Sequence, residues 1–302
     1  MDVFIAGGSG AIGLPLARAL AAAGHRVIAL TRSGARQDDI RATGASVAIA
    51  DALDPDALAA AVAAARPTHV VHLLTALPKD GPRRASDLAE TNRLRVDGTR
   101  HLLAAAIAVG ARRFIAGSFA PLSPRDGVAV EPRDEAAAAV RSMECQVIGA
   151  ARQGLIEGSV LRYGMIYGPG TSSTVSMLAM VRKRRLPVIR GDAGKLPLVH
   201  IDDVVSATMR ALEVAPAGST YDIVDDCAVS ISDLIMTVAE LTRAPTPFTV
   251  PSWLPRLVAP YAASMTSKRL VLSNQPARAE LGWHPKYSTM REGFADMFRE
   301  AV

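Results

Sequence analysis

Short runs rich in β-branched residues alternate with alanine-rich stretches over residues 1–165, and Gly, Pro, Asp or Thr marks each change. The runs predict strands at residues 3–6, 26–30, 46–50, 69–74, 113–117 and 159–162. The stretches between them predict helices at residues 11–23, 36–43, 55–65, 86–109 and 134–152. Strands that are joined by helical crossovers run parallel to one another. The pattern therefore predicts an α/β protein built on a doubly wound parallel sheet.

A glycine-rich turn, AGGSGAIG, lies between the first predicted strand and the first predicted helix. Gly7 permits the tight turn, Gly10 the close approach of backbone to a pyrophosphate, and Gly13 the packing of the helix on the sheet. The helix N-terminus adds N–H groups and the positive end of its dipole. A loop that only turns the chain is the alternative, but the strand and helix around it favour dinucleotide binding and a fold of the Rossmann type. Further candidate contacts in the same turn are Ser9, Ala11 and Ile12.

The end of the second predicted strand bears on the choice between the two nicotinamide cofactors. A carboxylate at this position accepts a hydrogen bond from the ribose 2′-hydroxyl and repels a 2′-phosphate. This chain has no acid here, but has Thr31, Arg32 and Ser33. Arg32 can form a charge-assisted contact with a 2′-phosphate, so the sequence favours NADP(H) over NAD(H). A solvated surface arginine is the alternative.

The ends of the third and fourth predicted strands supply the remaining candidate cofactor contacts. Asp51 is placed to accept a hydrogen bond from the adenine amino group, although a turn or helix-capping role fits it nearly as well. The neighbouring candidate is Ala52. At the end of the fourth strand the candidates are Leu74, Thr75 and Ala76.

The alternation loosens after Pro169. We expect a dinucleotide-binding domain at residues 1–168 and a smaller C-terminal substrate-binding lobe, interleaved with it, at residues 169–302. A chain of 302 residues that is 49% hydrophobic is long enough to bury such a core.

The composition argues against several other classes of protein. Cys145 and Cys227 are the only cysteines, too few for a disulfide framework or a zinc cage. No apolar stretch of about 18 residues occurs, so we expect no membrane span, and we expect no export signal. The net charge of +5 suits an anionic ligand, but the basic residues are too dispersed for nucleic-acid binding. We expect a cytoplasmic protein without a metal site.

The chain resembles the extended short-chain dehydrogenase/reductase family, in its NAD-dependent epimerase/dehydratase group. The resemblance covers nearly the whole length and rests on the glycine spacing and on five further segments in order. These segments are AIADALDPDAL from Ala48, VDGTRHLLAAA from Val96, LRYGMIYGPG from Leu161, VHIDDVVSA from Val199 and LGWHPKYSTMREGF from Leu281. The resemblance also implies a homodimer through the two long helices after the fourth and fifth strands.

The family's catalytic pair is missing from this chain. The resemblance implies a Tyr-x-x-x-Lys motif on the helix after the fifth strand, in which Tyr is the general acid or base and Lys lowers its pKa. Alignment on Glu144 places the Tyr position at Ala136 and the Lys position at Val140. No Tyr or Lys occurs between Gly117 and Arg162, so the absence does not depend on the alignment.

Two residues remain as candidate catalytic groups. The family's Ser or Thr beyond the fifth strand falls on Phe119 or, with a slip of one, on Ser118, whose hydroxyl either contacts substrate or satisfies the strand end. Tyr163 replaces a family Pro after the sixth strand; it either substitutes for the missing phenol or packs in the core. Arg95 occupies the place of a family Asn; it is either a charged replacement near the site or, as we interpret it, a helix-surface residue.

These features predict an NADP(H)-dependent ketoreductase that acts on a largely apolar, secondary-metabolite-like molecule. The substrate itself, or water, would supply the proton, for example where a phenol or enol flanks the ketone. The apolar preference is based on Phe119, Met143 and a stripe at helical spacing that either covers a pocket or belongs to the core: Trp253, Leu254, Leu257, Val258 and Tyr261. An NADP(H) sensor without turnover and a non-redox isomerase or cyclase are the alternatives.

Overall fold

The structure is a computed structural model that describes residues 1–78, 81–82, 84–125, 134–258, 263–264 and 266–299. Its strands are β1 Asp2–Ala6, β2 Arg26–Thr31, β3 Ser46–Ile49, β4 His69–His72, β5 Arg113–Phe119, β6 Glu157–Tyr163, β7 Met165–Tyr167, β8 Val188–Ile189, β9 Leu198–His200, β10 Thr220–Ile223 and β11 Thr249–Val250. Seven of them form one parallel sheet in the order β10-β6-β5-β4-β1-β2-β3. This sheet confirms the predicted doubly wound Rossmann-type fold.

The α-helices lie between and after these strands. They are α1 Gly13–Ala22, α2 Gln37–Arg41, α3 Pro55–Ala65, α4 Ala89–Arg93, α5 Thr99–Ala108, α6 Glu135–Arg152, α7 Ser172–Arg182, α8 Ile201–Val214, α9 Ile231–Leu241, α10 Trp253–Val258, α11 Gln275–Leu281 and α12 Met290–Arg299. Among the residues described, no helix is long and apolar enough to cross a membrane.

Both faces of the main sheet are covered, which explains why its strands are continuously apolar. One face packs on α1, α8 and α11 through residues such as Leu16, Leu212 and Leu281. The other face packs on α3, α5 and α6 through residues such as Leu58 and Leu102. The resulting sheet is rigid, and its C-terminal edge holds the turns that carry the candidate site.

The second half of the chain contributes to two cores. Strand β10 adds an edge to the main sheet beside β6, and α8 packs on α1. A separate apolar cluster joins β7, β9, α7, α9 and α12 through Tyr167, Leu198, Leu234 and Phe294. The division into two domains at residue 168 stays a prediction, and the chain beyond it contributes both to the main sheet and to this separate cluster.

The predicted helix at residues 86–109 is interrupted in the structure. A 3₁₀ turn at Ala85–Leu88 leads into α4, and a π-helical turn at Leu94–Gly98 separates α4 from α5. A π turn contains an extra residue per turn, so it shifts which side chains face inward. As a result Arg95 is buried rather than on the helix surface, which corrects our interpretation of that residue.

Candidate active site

The glycine-rich turn closes over the end of β1, beside the point where the strand order reverses between β1 and β4. Gly7 has a φ of 91°, and a Cβ atom there would lie 2.6 Å from the Leu73 carbonyl oxygen. A Cβ atom at Gly13 would overlap the Gly7 carbonyl oxygen. Both positions therefore require glycine, the first for its left-handed backbone and the second for the contact of helix with turn.

Helix α1 begins at Gly13, two residues later than predicted, so Ala11 and Ile12 belong to the turn. The helix has no side-chain cap and no acidic residue in its first turn. The Leu14 and Leu16 amides already donate to the carbonyls of Gly10 and Ile12, and Pro15 has no N–H. The helix therefore offers an anion chiefly the positive end of its dipole. Binding of a pyrophosphate by the turn at Gly7, Gly10 and Gly13 stays a prediction.

The side chains predicted at the adenosine end lie close together. The Thr31 hydroxyl at the end of β2 is 3.3 Å from Ser9 Oγ and 3.2 Å from the Ser33 carbonyl oxygen. Arg32 is exposed and forms an ion pair with Glu90 of α4. An exposed Arg32 is one of the two alternatives expected from the sequence, whereas its pairing with Glu90 is seen only in the structure.

Asp51 forms part of a turn in the structure. Its Oδ1 accepts a hydrogen bond from the Leu53 amide at 2.9 Å, which is the turn role considered above. Ala52 is buried, and its carbonyl oxygen lies 3.1 Å from His101 Nδ1. Contact of Asp51 or Ala52 with adenine stays a prediction.

The segment after β4 covers Gly7 and is held by side chains of β4 and α4. Strand β4 ends at His72, before the predicted limit of residue 74, and the Leu74 amide donates to His72 Nδ1. The Ala76 amide donates to Thr91 Oγ1 at 3.0 Å, and Thr75 is exposed. Leu74, Thr75 and Ala76 are therefore fixed beside the turn, where cofactor contact stays a prediction.

His72 is held in one tautomer beneath this segment. Because Nδ1 accepts from Leu74, Nε2 carries the proton and donates to Thr99 Oγ1 at 2.7 Å, and Thr99 donates to the Arg95 carbonyl. Burial, with a contribution from the Arg95 guanidinium, lowers the pKa of His72 to about 4. The imidazole is therefore neutral at physiological pH and acts as a hydrogen-bonded support.

The two residues that the alignment predicts for the family's catalytic pair are buried and apolar. Ala136 is 5% exposed and Val140 is fully buried. Both belong to one apolar cluster with Leu88, Leu122, Ala137 and the partly buried Phe119. No phenol or ammonium group can act from these two positions.

Ser118 is part of a buried charged network. It donates a hydrogen bond of 2.6 Å to Glu144 Oε1, and the Ser123 hydroxyl lies 2.8 Å from the same oxygen. Arg162 of β6 binds both Glu144 oxygens, with its shortest contact at 2.6 Å. The single proton of Ser118 is thus directed at a carboxylate, so its oxygen can only accept hydrogen bonds from other groups.

No sequence pattern predicts this network, because its members lie far apart along the chain. Its members come from β5, the turn after β5, α6 and β6. Ser118 and Arg162 lie opposite each other in the register of β5 and β6, and that pairing brings Arg162 to Glu144.

Tyr163 lies in the core of the sheet face that packs on α8. It is 3% exposed, and its hydroxyl is 2.8 Å from Thr208 Oγ1. Because Thr208 donates to the Val204 carbonyl, Tyr163 is the donor in this pair. Burial also raises the pKa of Tyr163 above its usual value. This geometry favours the packing role over the role of a substitute proton donor.

The apolar stripe predicted near residue 253 is on the surface over the part that the structure describes. Trp253 is 61% exposed and Leu257 is 74% exposed on the short helix α10, and Leu254 is half-buried. Tyr261 and the side chain of Val258 lie outside the described residues. The core alternative for this stripe is therefore wrong at Trp253 and Leu257.

The chain is similar to known reductases and to structures with the same fold. Residues 3–224 match the NAD dependent epimerase/dehydratase family. A 3-diazoavenalumate denitrifying reductase from Streptomyces sp is 38% identical over 97% of this chain and 99% of its own length. A 2-alkyl-3-oxoalkanoate reductase from Stenotrophomonas maltophilia (strain K279a) is 26% identical over 81% of this chain and 77% of its own. The UDP-glucose 4-epimerase of Thermus thermophilus in complex with NAD shares the fold, with a TM-score of 0.79 over 99% of both chains at 23% identity.

Proposed function

This chain belongs to the NAD dependent epimerase/dehydratase family and is an oxidoreductase, and we propose that it is an NADPH-dependent reductase of an aryl diazo compound. The observation that carries the proposal is the apolar cluster at the Tyr and Lys positions, Ala136 and Val140. A protein with this cluster suits a substrate that accepts a hydride without receiving a proton from the protein.

The chain's own residues would hold the dinucleotide along the C-terminal edge of the sheet. The turn from Gly7 to Gly13 would bind the pyrophosphate, and Arg32 would contact the 2′-phosphate. The bound cofactor supplies a hydride, so that R–N₂⁺ and NADPH give R–H, N₂ and NADP⁺ without a proton from the enzyme.

The polarity of the site supports an electron-poor substrate. Reduction of an ordinary ketone creates an alkoxide, which needs a hydrogen-bond donor or an acid. The Ser118 hydroxyl donates a hydrogen bond to the Glu144 carboxylate, and turning it toward a substrate would cost that charge-assisted hydrogen bond. A diazonium group carries positive charge before hydride addition and leaves as neutral N₂, so the reaction produces no anion that needs such a donor.

The relative from Streptomyces supports the same class of substrate. Its name describes a reductase that acts on a diazo compound and removes nitrogen, and this chain is similar to it over nearly the full length of both proteins.

Reduction of an activated ketone is the second candidate function. The relative from Stenotrophomonas is named as a reductase of an oxoalkanoate, which contains a carbonyl group. In this case the substrate would supply its own proton, as we expected from the sequence. The loss of an acid or base typically lowers the rate about 100- to 10,000-fold, which an activated ketone tolerates better than a simple one.

The test is an assay of purified protein with NADPH and 3-diazoavenalumate carrying ¹⁵N in the diazo group. We expect one N₂ released and one NADPH oxidised for each arene formed, and deuterium from 4-deuterated NADPH in the new C–H bond. Gly10→Ala, which places a methyl group in the phosphate turn, should abolish turnover. Gly149→Ala adds the same group where nothing lies within 4 Å and should retain activity.

Each other outcome identifies a different function. NADPH oxidation with a 2-alkyl-3-oxoalkanoate but not with the diazo compound favours the ketoreductase. Tight cofactor binding without turnover of either substrate favours the sensor. Product formation without NADPH oxidation contradicts both reductase proposals and favours the isomerase or cyclase.

A further inference from the structure

The ion pair between Arg32 and Glu90 joins two distant parts of the chain at the adenosine end of the candidate site. Arg32 directly follows β2, whereas Glu90 lies on α4, after β4. Strands β2 and β4 are the two neighbours of β1, which leads into the glycine-rich turn. The pair therefore links the segments on either side of the strand that carries the phosphate turn.

A carboxylate at the adenosine end of the site affects which of the two nicotinamide cofactors binds. In dinucleotide-binding folds an acid at the end of the second strand favours NAD(H), because it accepts from the ribose 2′-hydroxyl and repels a 2′-phosphate. This chain lacks an acid there, but α4 supplies one to the arginine that replaces it. A rule that considers only the residues at the end of β2 therefore omits the negative charge of Glu90, which the fold brings to the same end of the site.

We propose that Glu90 is a specificity-determining residue that weakens the binding of NADPH relative to NADH. It does so in two ways: it competes with the 2′-phosphate for Arg32, and its negative charge repels that phosphate. The inference rests on the proposed NADPH-dependent function, since it concerns the cofactor of that same site.

The charges and the exposure of the pair indicate that Glu90 weakens NADPH binding without preventing it. Side-chain exposure is 66% for Arg32 and 46% for Glu90, and exposed ion pairs are weak. A phosphate with about two negative charges can therefore displace the carboxylate from Arg32. The displaced Glu90 remains within reach of the phosphate, and removal of its charge should strengthen NADPH binding about tenfold. NADH has no 2′-phosphate, so its affinity should change less than about twofold.

The test is a fluorescence titration of wild type and Glu90→Gln with NADPH and with NADH. Adenosine 2′,5′-bisphosphate serves as a competing fragment that carries the phosphate without the nicotinamide. Because the proposed effect is electrostatic, the gain in NADPH affinity should shrink in 0.5 M NaCl, where the Debye length is about 4 Å. A purely structural effect of the substitution would change both cofactors alike and would not depend on salt.

Glu240→Gln is the matched control. Glu240 is also an exposed glutamate, and it pairs with Arg291 of α12 at 2.8 Å, in the C-terminal lobe. The substitution removes the same charge and the same type of ion pair, so it should leave both cofactor affinities at their wild-type values.

The outcomes separate this inference from the proposed function. If Glu90→Gln raises NADPH affinity but not NADH affinity, and Glu240→Gln raises neither, the inference is supported. If wild type binds a dinucleotide and Glu90→Gln leaves the ratio of the two affinities unchanged, the inference is wrong while the proposed function stands. If wild type binds neither dinucleotide, both are wrong.

Discussion

At the scale of single residues, Glu144 is a buried carboxylate between α6 and the sheet. It is 4% exposed and is bound by Ser118, Ser123 and Arg162. A buried carboxylate is tolerated only when its charge is paired and its oxygens are hydrogen-bonded. The network therefore holds α6 on β5 and β6.

We expect Glu144→Gln to lower the free energy of unfolding by about 3 kcal/mol, because it leaves the Arg162 charge buried without a countercharge. Urea unfolding followed by circular dichroism measures this change. Glu157→Gln is the control: Glu157 is more exposed, and its partner Arg113 keeps two backbone carbonyl contacts. Equal losses in the two variants would contradict the importance of the buried network.

At the scale of elements, the β1–α1 turn is defined by contacts that leave no room for a side chain. Gly13 lies against the Gly7 carbonyl at the first position of α1. The turn also holds itself together, because the Gly10 amide donates to the Gly7 carbonyl and the Leu14 amide donates to the Gly10 carbonyl. The glycines are therefore required for packing, and their contact with a dinucleotide stays a prediction.

We expect Gly13→Ala and Gly149→Ala to have opposite effects on stability. The new methyl group at Gly13 overlaps the Gly7 carbonyl and should destabilise the protein by about 1 to 3 kcal/mol. At Gly149, within α6, the same methyl group has open space and should stabilise the helix by about 0.5 to 1 kcal/mol. Thermal unfolding of both variants checks the signs, and a stabilised Gly13→Ala would contradict the structure of the turn.

At the scale of the whole molecule, buried acids connect the sheet to the C-terminal lobe. Asp203, at the start of α8, accepts from the amides of Lys286 and Tyr287, which precede α12. Burial raises the pKa of Asp203 to about 6 and that of Asp225 to about 8. Asp226, Asp203 and Glu292 add to the rise at Asp225. The Asp225 Oδ2 atom is buried and has no hydrogen-bond partner among the described residues.

These shifts predict how stability depends on pH. An acid whose pKa is higher in the folded state binds more protons there than in the unfolded chain, so its contribution to stability falls as pH rises. For Asp225 the fall spans the interval from about pH 4 to pH 8. His69 and His72, whose pKa values are lowered to about 4 mainly by burial, act in the opposite direction below pH 6.5. Between about pH 4 and pH 6 the two acids and the two histidines therefore oppose each other. The contribution of Asp225 continues to fall up to about pH 8, so we expect stability to decline toward alkaline pH.

Asp225→Asn should flatten the alkaline decline, because the side chain no longer loses a proton. The free energy of unfolding of the variant minus that of wild type should be more favourable at pH 9 than at pH 5, by on the order of 3 kcal/mol. Urea unfolding at the two pH values measures it. Asp38→Asn, at a side chain that is 90% exposed on α2, is the control and should leave the pH dependence unchanged.

The sequence by itself determined the sheet, the glycine-rich turn and the absence of any Tyr or Lys between Gly117 and Arg162. Each of these is a local property, because strand and helix periodicity and the spacing of Gly7, Gly10 and Gly13 depend only on residues that are close in sequence. The tertiary structure decided which distant groups meet. Glu90 reaches Arg32 across 58 positions, Arg162 reaches Glu144 through strand register, and the π turn buries Arg95. Sequence spacing does not encode these pairings, because they depend on how strands are ordered and which helix face turns inward.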